Sequence, residues 1–126
     1  MGYRSDVKAV FYTSDKEQWP ALRLFVDENF PEGLKGDLEV IGSTVYSGYV
    51  FSCNSVKWYD SYPDVQAYNK FVEQYMDLIE NAEEGHELPW MYEFIRIGED
   101  TDDIETENAG NCDYVLQVRR EIDCEF

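Results

Sequence analysis

Between Val65 and Ile79 the apolar residues return every three or four positions: Val65, Tyr68, Val72, Tyr75, Met76 and Ile79, with Phe71 flanking. That spacing lines them up on one stripe of a helix, and a helix with such a stripe has to bury it against a second layer. The helix start is marked by Ser61 as a candidate N-cap, Pro63 in the first turn and Asp64 at the positive helix end. Gly85 is expected to end it.

The remaining segments say what the second layer is. Val7, Ala9 and Phe11 alternate with Lys8, Val10 and Tyr12, as in a strand. Ser14 and Glu17 have capping-box spacing, and Trp19, Leu22, Phe25, Val26 and Phe30 mark a first helix. Pro20 lies at its start or in an early turn, and Pro31 and Gly33 end it. Leu38 to Ile41 reads as a short strand, Gly42-Ser43 as a turn and Thr44 to Trp58 as a long strand with a break near Asn54-Ser55. These two strands make a hairpin. Leu88 to Ile97 is a strand with Trp90, Tyr92 and Phe94 on one face and Met91, Ile95 and Ile97 on the other, which suits a central position. Gly98 to Asp113 is polar, acidic and turn-like, and Tyr114 to Ile122 closes the chain as a strand with Tyr114, Leu116, Val118 and Ile122 inward. The order is βαββαββ in one α+β domain spanning residues 1–126: a mainly antiparallel sheet with two helices on one face. The first six elements match the ferredoxin-like split β-α-β order, with one extra C-terminal strand.

Composition narrows the function classes. The 27 acidic residues exceed the 10 basic ones to give a net charge of −17. Such a chain repels nucleic acid and anionic membrane and favours basic surfaces or cations. The alternative is that the charge only keeps an aromatic-rich protein in solution. No segment has the apolar length of a membrane span, and Met1 to Asp6 has neither a signal-peptide stretch nor myristoylation spacing. A cytoplasmic location is expected, and with it reduced thiols at Cys53, Cys112 and Cys124. One histidine, His86, and cysteines without metal-ligand spacing argue against a zinc site. No phosphate-binding glycine loop and no spaced nucleophile–base arrangement suggests an enzyme or a cofactor.

Three stretches carry a resemblance: Met1 to Val7; Val56-Lys57-Trp58-Tyr59 with Tyr62-Pro63-Asp64-Val65; and Phe94 to Asp100 running into Asp103-Ile104-Glu105. Together they resemble a family of short acidic proteins encoded by bacteriophages and prophages. The family has no assigned activity, so no catalytic residue is implied. The resemblance implies a setting in a host cytoplasm, where small phage proteins bind and disable host machinery such as CRISPR and restriction systems, some by imitating the charge of DNA. The expected partner is then a basic, nucleic-acid-binding host protein, with no direct binding of nucleic acid.

Candidate contact residues follow from the charge pattern. Glu99, Asp100, Asp102, Asp103, Glu105 and Glu107 crowd into nine positions. Counted from Asp100, the fifth and sixth positions are Ile104 and Glu105, so the calcium-loop pattern fails, although a less regular cation site stays open. A solvated acidic loop is the other reading. Glu73, Asp77 and Glu80 recur at helical spacing opposite the apolar stripe, where like charges repel by a few tenths of a kcal/mol per pair. Such a row either is a solvated face or imitates a phosphate strand. Tyr59 and Tyr62 flank Asp60 and are the best placed aromatic residues for a surface contact. An aromatic pocket for a small ligand or cation, and a role in particle assembly, are the competing functions.

Overall fold

The structure is a computed structural model and describes residues 3–81, 88–100, 102–110, 112, 115–119 and 121–124. Among the described residues nine regular elements follow one another: β1 (Ser5–Thr13), α1 (Trp19–Asn29), β2 (Leu38–Gly42), β3 (Ser47–Val56), α2 (Pro63–Glu80), β4 (Trp90–Ile97), β5 (Ile104–Ala109), β6 (Leu116–Arg119) and β7 (Glu121–Cys124). A 3-10 turn over Glu32–Asp37 carries the chain from α1 to β2. The architecture is α+β, as expected. Five strands form one sheet in the order β2-β3-β1-β4-β5, and every neighbouring pair is antiparallel.

Both helices pack on one face. Val7, Ala9 and Phe11 of β1, Phe51 of β3, and Tyr92 and Phe94 of β4 meet Leu22 and Val26 of α1 and Tyr68, Phe71, Val72 and Tyr75 of α2. Phe11 is the hub. Its ring stacks on Tyr92 at 5.1 Å and meets Phe71 and Tyr75 edge-on at 5.3 Å. The other face of the sheet buries Val10, Tyr12, Met91 and Ile95 against Val115 and Leu116. β1 and β4 are therefore apolar on both faces because both faces are covered.

So many tyrosines can be buried because their hydroxyls have partners. Tyr68 and Tyr92 share a hydrogen bond of 2.8 Å, Tyr75 donates to the Met91 carbonyl at 2.8 Å, and Tyr49 donates to Asp27 at 2.9 Å. Cys53 is buried as expected; burial first, and then the charge of Asp37, push its thiol up to about 12, so it is inert as a nucleophile.

Several local expectations need correction. The segment from Gly98 to Asp113 is not all turn: Ile104–Ala109 forms β5 at the sheet edge, in register from Ile97↔Ile104 to Tyr92↔Ala109. The chain end is not one strand but a separate antiparallel pair, β6 and β7. Neither helix has the side-chain cap foreseen. α1 starts after Gln18, not from a Ser14 and Glu17 box, and the Asp15 carboxylate instead accepts the Glu17 N–H at 2.9 Å. Tyr62, not Ser61, is the N-cap of α2. The foreseen break in the long strand is a bulge: pairing jumps from Val7↔Cys53 to Ser5↔Val56, Ser55 has φ +55°, and Asp6 accepts its N–H at 2.8 Å. Gly85, His86, Glu83, Glu84, Glu87, Asp113 and Tyr114 lie outside the described residues, as do the side chains of Val118, Ile122 and Cys124.

Candidate partner-binding cleft

Between α2 and β5, on the helix side of the sheet, runs a cleft of about 370 Å³. The carboxylates of Asp60, Glu73, Asp77, Glu80, Glu105 and Glu107 line it, and among the described residues no Lys or Arg does. Trp58 is the partly exposed aromatic residue of its lining, and the buried Tyr68, Tyr92 and Phe94 lie at its base. The helical row and the strand pair, far apart in sequence, thus become two walls of one acidic cavity. The reason is periodicity on each side. Glu73, Asp77 and Glu80 sit at four- and three-residue steps on α2, beside its buried face. Glu105 and Glu107 share a face of β5 because strand side chains alternate, and they pair in register with Arg96 and Phe94.

The field in this cleft is reinforced by the helix itself. Asp77 and Glu80 occupy the last turn of α2, which has no basic residue, so they add to the negative end of the helix dipole. Opposite them, desolvation first and the charge of Glu105 second hold the Glu107 carboxyl above its ordinary value. A raised acid pKa means that ionising Glu107 works against the fold, so its favourable contribution is present below its ordinary pKa and lost as pH rises through the raised one. Glu107→Gln is therefore expected to raise the melting temperature by roughly 2 °C at pH 7. The gain should vanish below about pH 4, where both proteins are neutral at this position. Thermal scans of both proteins from pH 3 to 8 check it; an equal gain at every pH would count against the charge explanation.

The crowded acidic segment divides into three parts. Glu105 and Glu107 line the cleft. Asp103 is bound to Arg96 by two bonds, at 2.7 and 3.1 Å, and accepts the Tyr3 hydroxyl at 2.6 Å; Arg96 also reaches Glu105 at 3.0 Å. Glu99, Asp100 and Asp102 are exposed on the β4–β5 turn and do not line the cleft. Tyr59 and Tyr62 pack edge-to-face at 5.0 Å just before α2; they flank Asp60 without lining the cleft themselves. Sequence reasoning passed over Arg96, whose position inside a strand among apolar neighbours was the available signal of a structural ion pair.

The Arg96 contact, and secondarily the Tyr3 hydrogen bond, lower the Asp103 carboxyl to about 2. Gly98 makes room for this knot, since a side chain there would collide with the Asp103 carboxylate and the Tyr3 hydroxyl. A depressed acid pKa adds stability above the unfolded value and loses it as pH falls through the folded one. The stability advantage of the protein over Asp103→Asn is thus expected to be constant above about pH 4 and to shrink towards zero near pH 2. Paired acid-unfolding curves read this directly, and a difference that ignores pH would refute it.

Among the described residues, no three His, Cys, Asp or Glu side chains converge to hold a metal ion. No helix among them is long and apolar enough to cross a membrane. No protein-family profile, curated protein or solved structure matches the chain.

Proposed function

We propose that this chain is a non-catalytic binding protein that captures a positively charged partner in the cleft between α2 and β5. The observation that carries the reading is that cleft: six carboxylates, of which only Glu105 is paired with an arginine, Arg96, no lining Lys or Arg among the described residues, and an aromatic floor in one cavity. Aromatic faces attract cations as well as apolar groups, so Lys or Arg side chains of a partner meet favourable contacts along their stems and at their tips. In the phage setting that the sequence resembles, the partner is a basic host protein that handles nucleic acid, such as a CRISPR or restriction complex in the host cytoplasm. The carboxylates of α2 and β5 occupy the Lys and Arg side chains that otherwise hold phosphates, and the protein blocks the site by charge and bulk. The first six elements form the scaffold, which we read as a ferredoxin-like split β-α-β unit; the sheet order β2-β3-β1-β4 supports that reading.

Capture from a bacterial host lysate at low and high salt tests the proposal. A basic nucleic-acid-handling protein, retained at low salt and lost at high salt, is the expected result. A partner that is acidic and insensitive to salt would overturn it. The cleft volume also suits a small organic cation. Heating scans with small cations separate this second reading, because a bound ligand raises the melting temperature.

A further inference from the structure

The outer edge of β5 borders the acidic cleft and is not paired with any described strand. The ladder geometry says which of its backbone groups face outward. Gly98 donates its N–H to the Asp103 carbonyl at 2.8 Å, and the register runs on without a shift from Ile97↔Ile104 to Tyr92↔Ala109. Hydrogen-bonded pairs alternate along an antiparallel ladder, so Glu105 and Glu107 turn their N–H and C=O groups inward to β4. Thr106 and Asn108 therefore present theirs outward.

Side chains along this edge alternate as well. Glu105 and Glu107 point to the cleft on the helix side, while Thr106 and Asn108 border a second cleft of about 210 Å³ on the opposite face, bounded also by Glu93, Ile95 and Leu116. An unpaired strand edge with a cavity on either face is the geometry that accepts an added strand: main-chain bonds supply affinity, and alternate side chains enter separate pockets. A second copy of β5 is a poor occupant, because it would set Glu105 and Glu107 against the same carboxylates, and like charges directly opposite destabilise a strand pair.

We infer that β5 binds an extended segment of a basic partner as a sixth, antiparallel strand, with Lys or Arg at every second position opposite Glu105 and Glu107 and small residues between them. The inference rests on the reading of the cleft as a receptor for positive charge and adds the conformation and the residue pattern of what enters it. Basic residues opposite Glu105 and Glu107 fall at the pairs that make no hydrogen bonds to β5, where side chains are closest. Their tips reach across to the carboxylates of α2. The residues between them exchange main-chain bonds with Thr106 and Asn108.

A nine-residue peptide of alternating Lys and Thr, capped at both ends, is the probe. Two analogues carry N-methyl groups, one on the Thr amides that face β5 and one on the Lys amides that face away. Titration of the full chain is expected to show the Lys-methylated peptide binding within about threefold of the parent and the Thr-methylated one at least tenfold more weakly. That loss is roughly what one or two main-chain hydrogen bonds supply. Thr106→Pro removes an outward N–H without touching the β4 ladder, and proline is tolerated on edge strands. It should weaken the parent peptide at least tenfold while the circular dichroism stays unchanged. Equal affinity for all three peptides overturns strand addition and leaves the charge-based cleft reading standing. No binding of any of them at low salt overturns both.

Discussion

Replacing Glu93 with alanine is expected to lower the melting temperature by about 12 °C and to loosen the segment that leads into β6. Glu93 lies inside β4 on the face away from the helices and is 3% exposed. Its carboxylate accepts the Tyr12 hydroxyl and the N–H groups of Val115 and Leu116, the latter two at 3.1 Å each. Val115 and Leu116 are themselves buried against that face. A buried carboxylate holding three donors away from water is worth far more than an exposed pair, because its loss leaves the donors unsatisfied. About 3 kcal/mol is the expected cost of Glu93→Ala, and a domain of this length loses roughly 4 °C per kcal/mol. Tyr12→Phe removes one bond and should cost about 1 kcal/mol. The two losses should not add, since both act on one network. Hydrogen exchange at Val115 and Leu116 gives the local readout: both amides should exchange faster in Glu93→Ala. Unchanged protection with an unchanged melting temperature would show that the segment is held by other means.

Glu93 also marks the limit of what the sequence made legible. The two helices, the first four strands and the double-faced apolar pattern of β4 follow from periodicity, because burial on a fixed face imposes a fixed repeat. Glu93 interrupts that pattern between Tyr92 and Phe94, and a carboxylate at a buried strand position is a sign of a hidden partner. Its donors are backbone groups, which no sequence pattern advertises. β5 escaped for a different reason. Ile104-Glu-Thr-Glu-Asn-Ala has weak strand propensity and a solvated appearance, yet edge strands are where charged residues belong, since they deter stray pairing. The alternation of Glu105 and Glu107 with Thr106 and Asn108 was visible; what was missing was the neighbour, β4, that gives it meaning. For the same reason the α2 row and the β5 pair stood as two separate acidic features. Only the sheet order β1-β4-β5, with α2 above it, makes them opposing walls. The foreseen caps failed because the helices begin later in the chain than Ser14 and Ser61, after Gln18 and Tyr62, neither of which caps through its side chain.

Reversing the charge on both walls, with Glu73→Lys, Asp77→Lys and Glu107→Lys together, is expected to do opposite things to binding and to folding. Binding of the Lys-Thr peptide, and capture of the basic partner, should fall by about 100-fold or more, because each new ammonium meets the partner's own positive charges across the cleft. The salt dependence of what binding remains should flatten, since fewer ion pairs are left to screen. Stability should move the other way. Asp77 lies in a final turn of α2 with no basic residue, and Glu107 ionises at the fold's expense. Lysine at position 77 complements the helix end and attracts Glu80, which outweighs the repulsion that the lysines at 73 and 77 keep between them. Together these changes are expected to add about 1 kcal/mol, or roughly 4 °C. A carboxylate row that only keeps the chain in solution predicts no loss of capture. A row that props up the fold predicts a lower melting temperature. Only a surface kept acidic for a partner, at some cost to the fold, predicts weaker capture by a more stable protein.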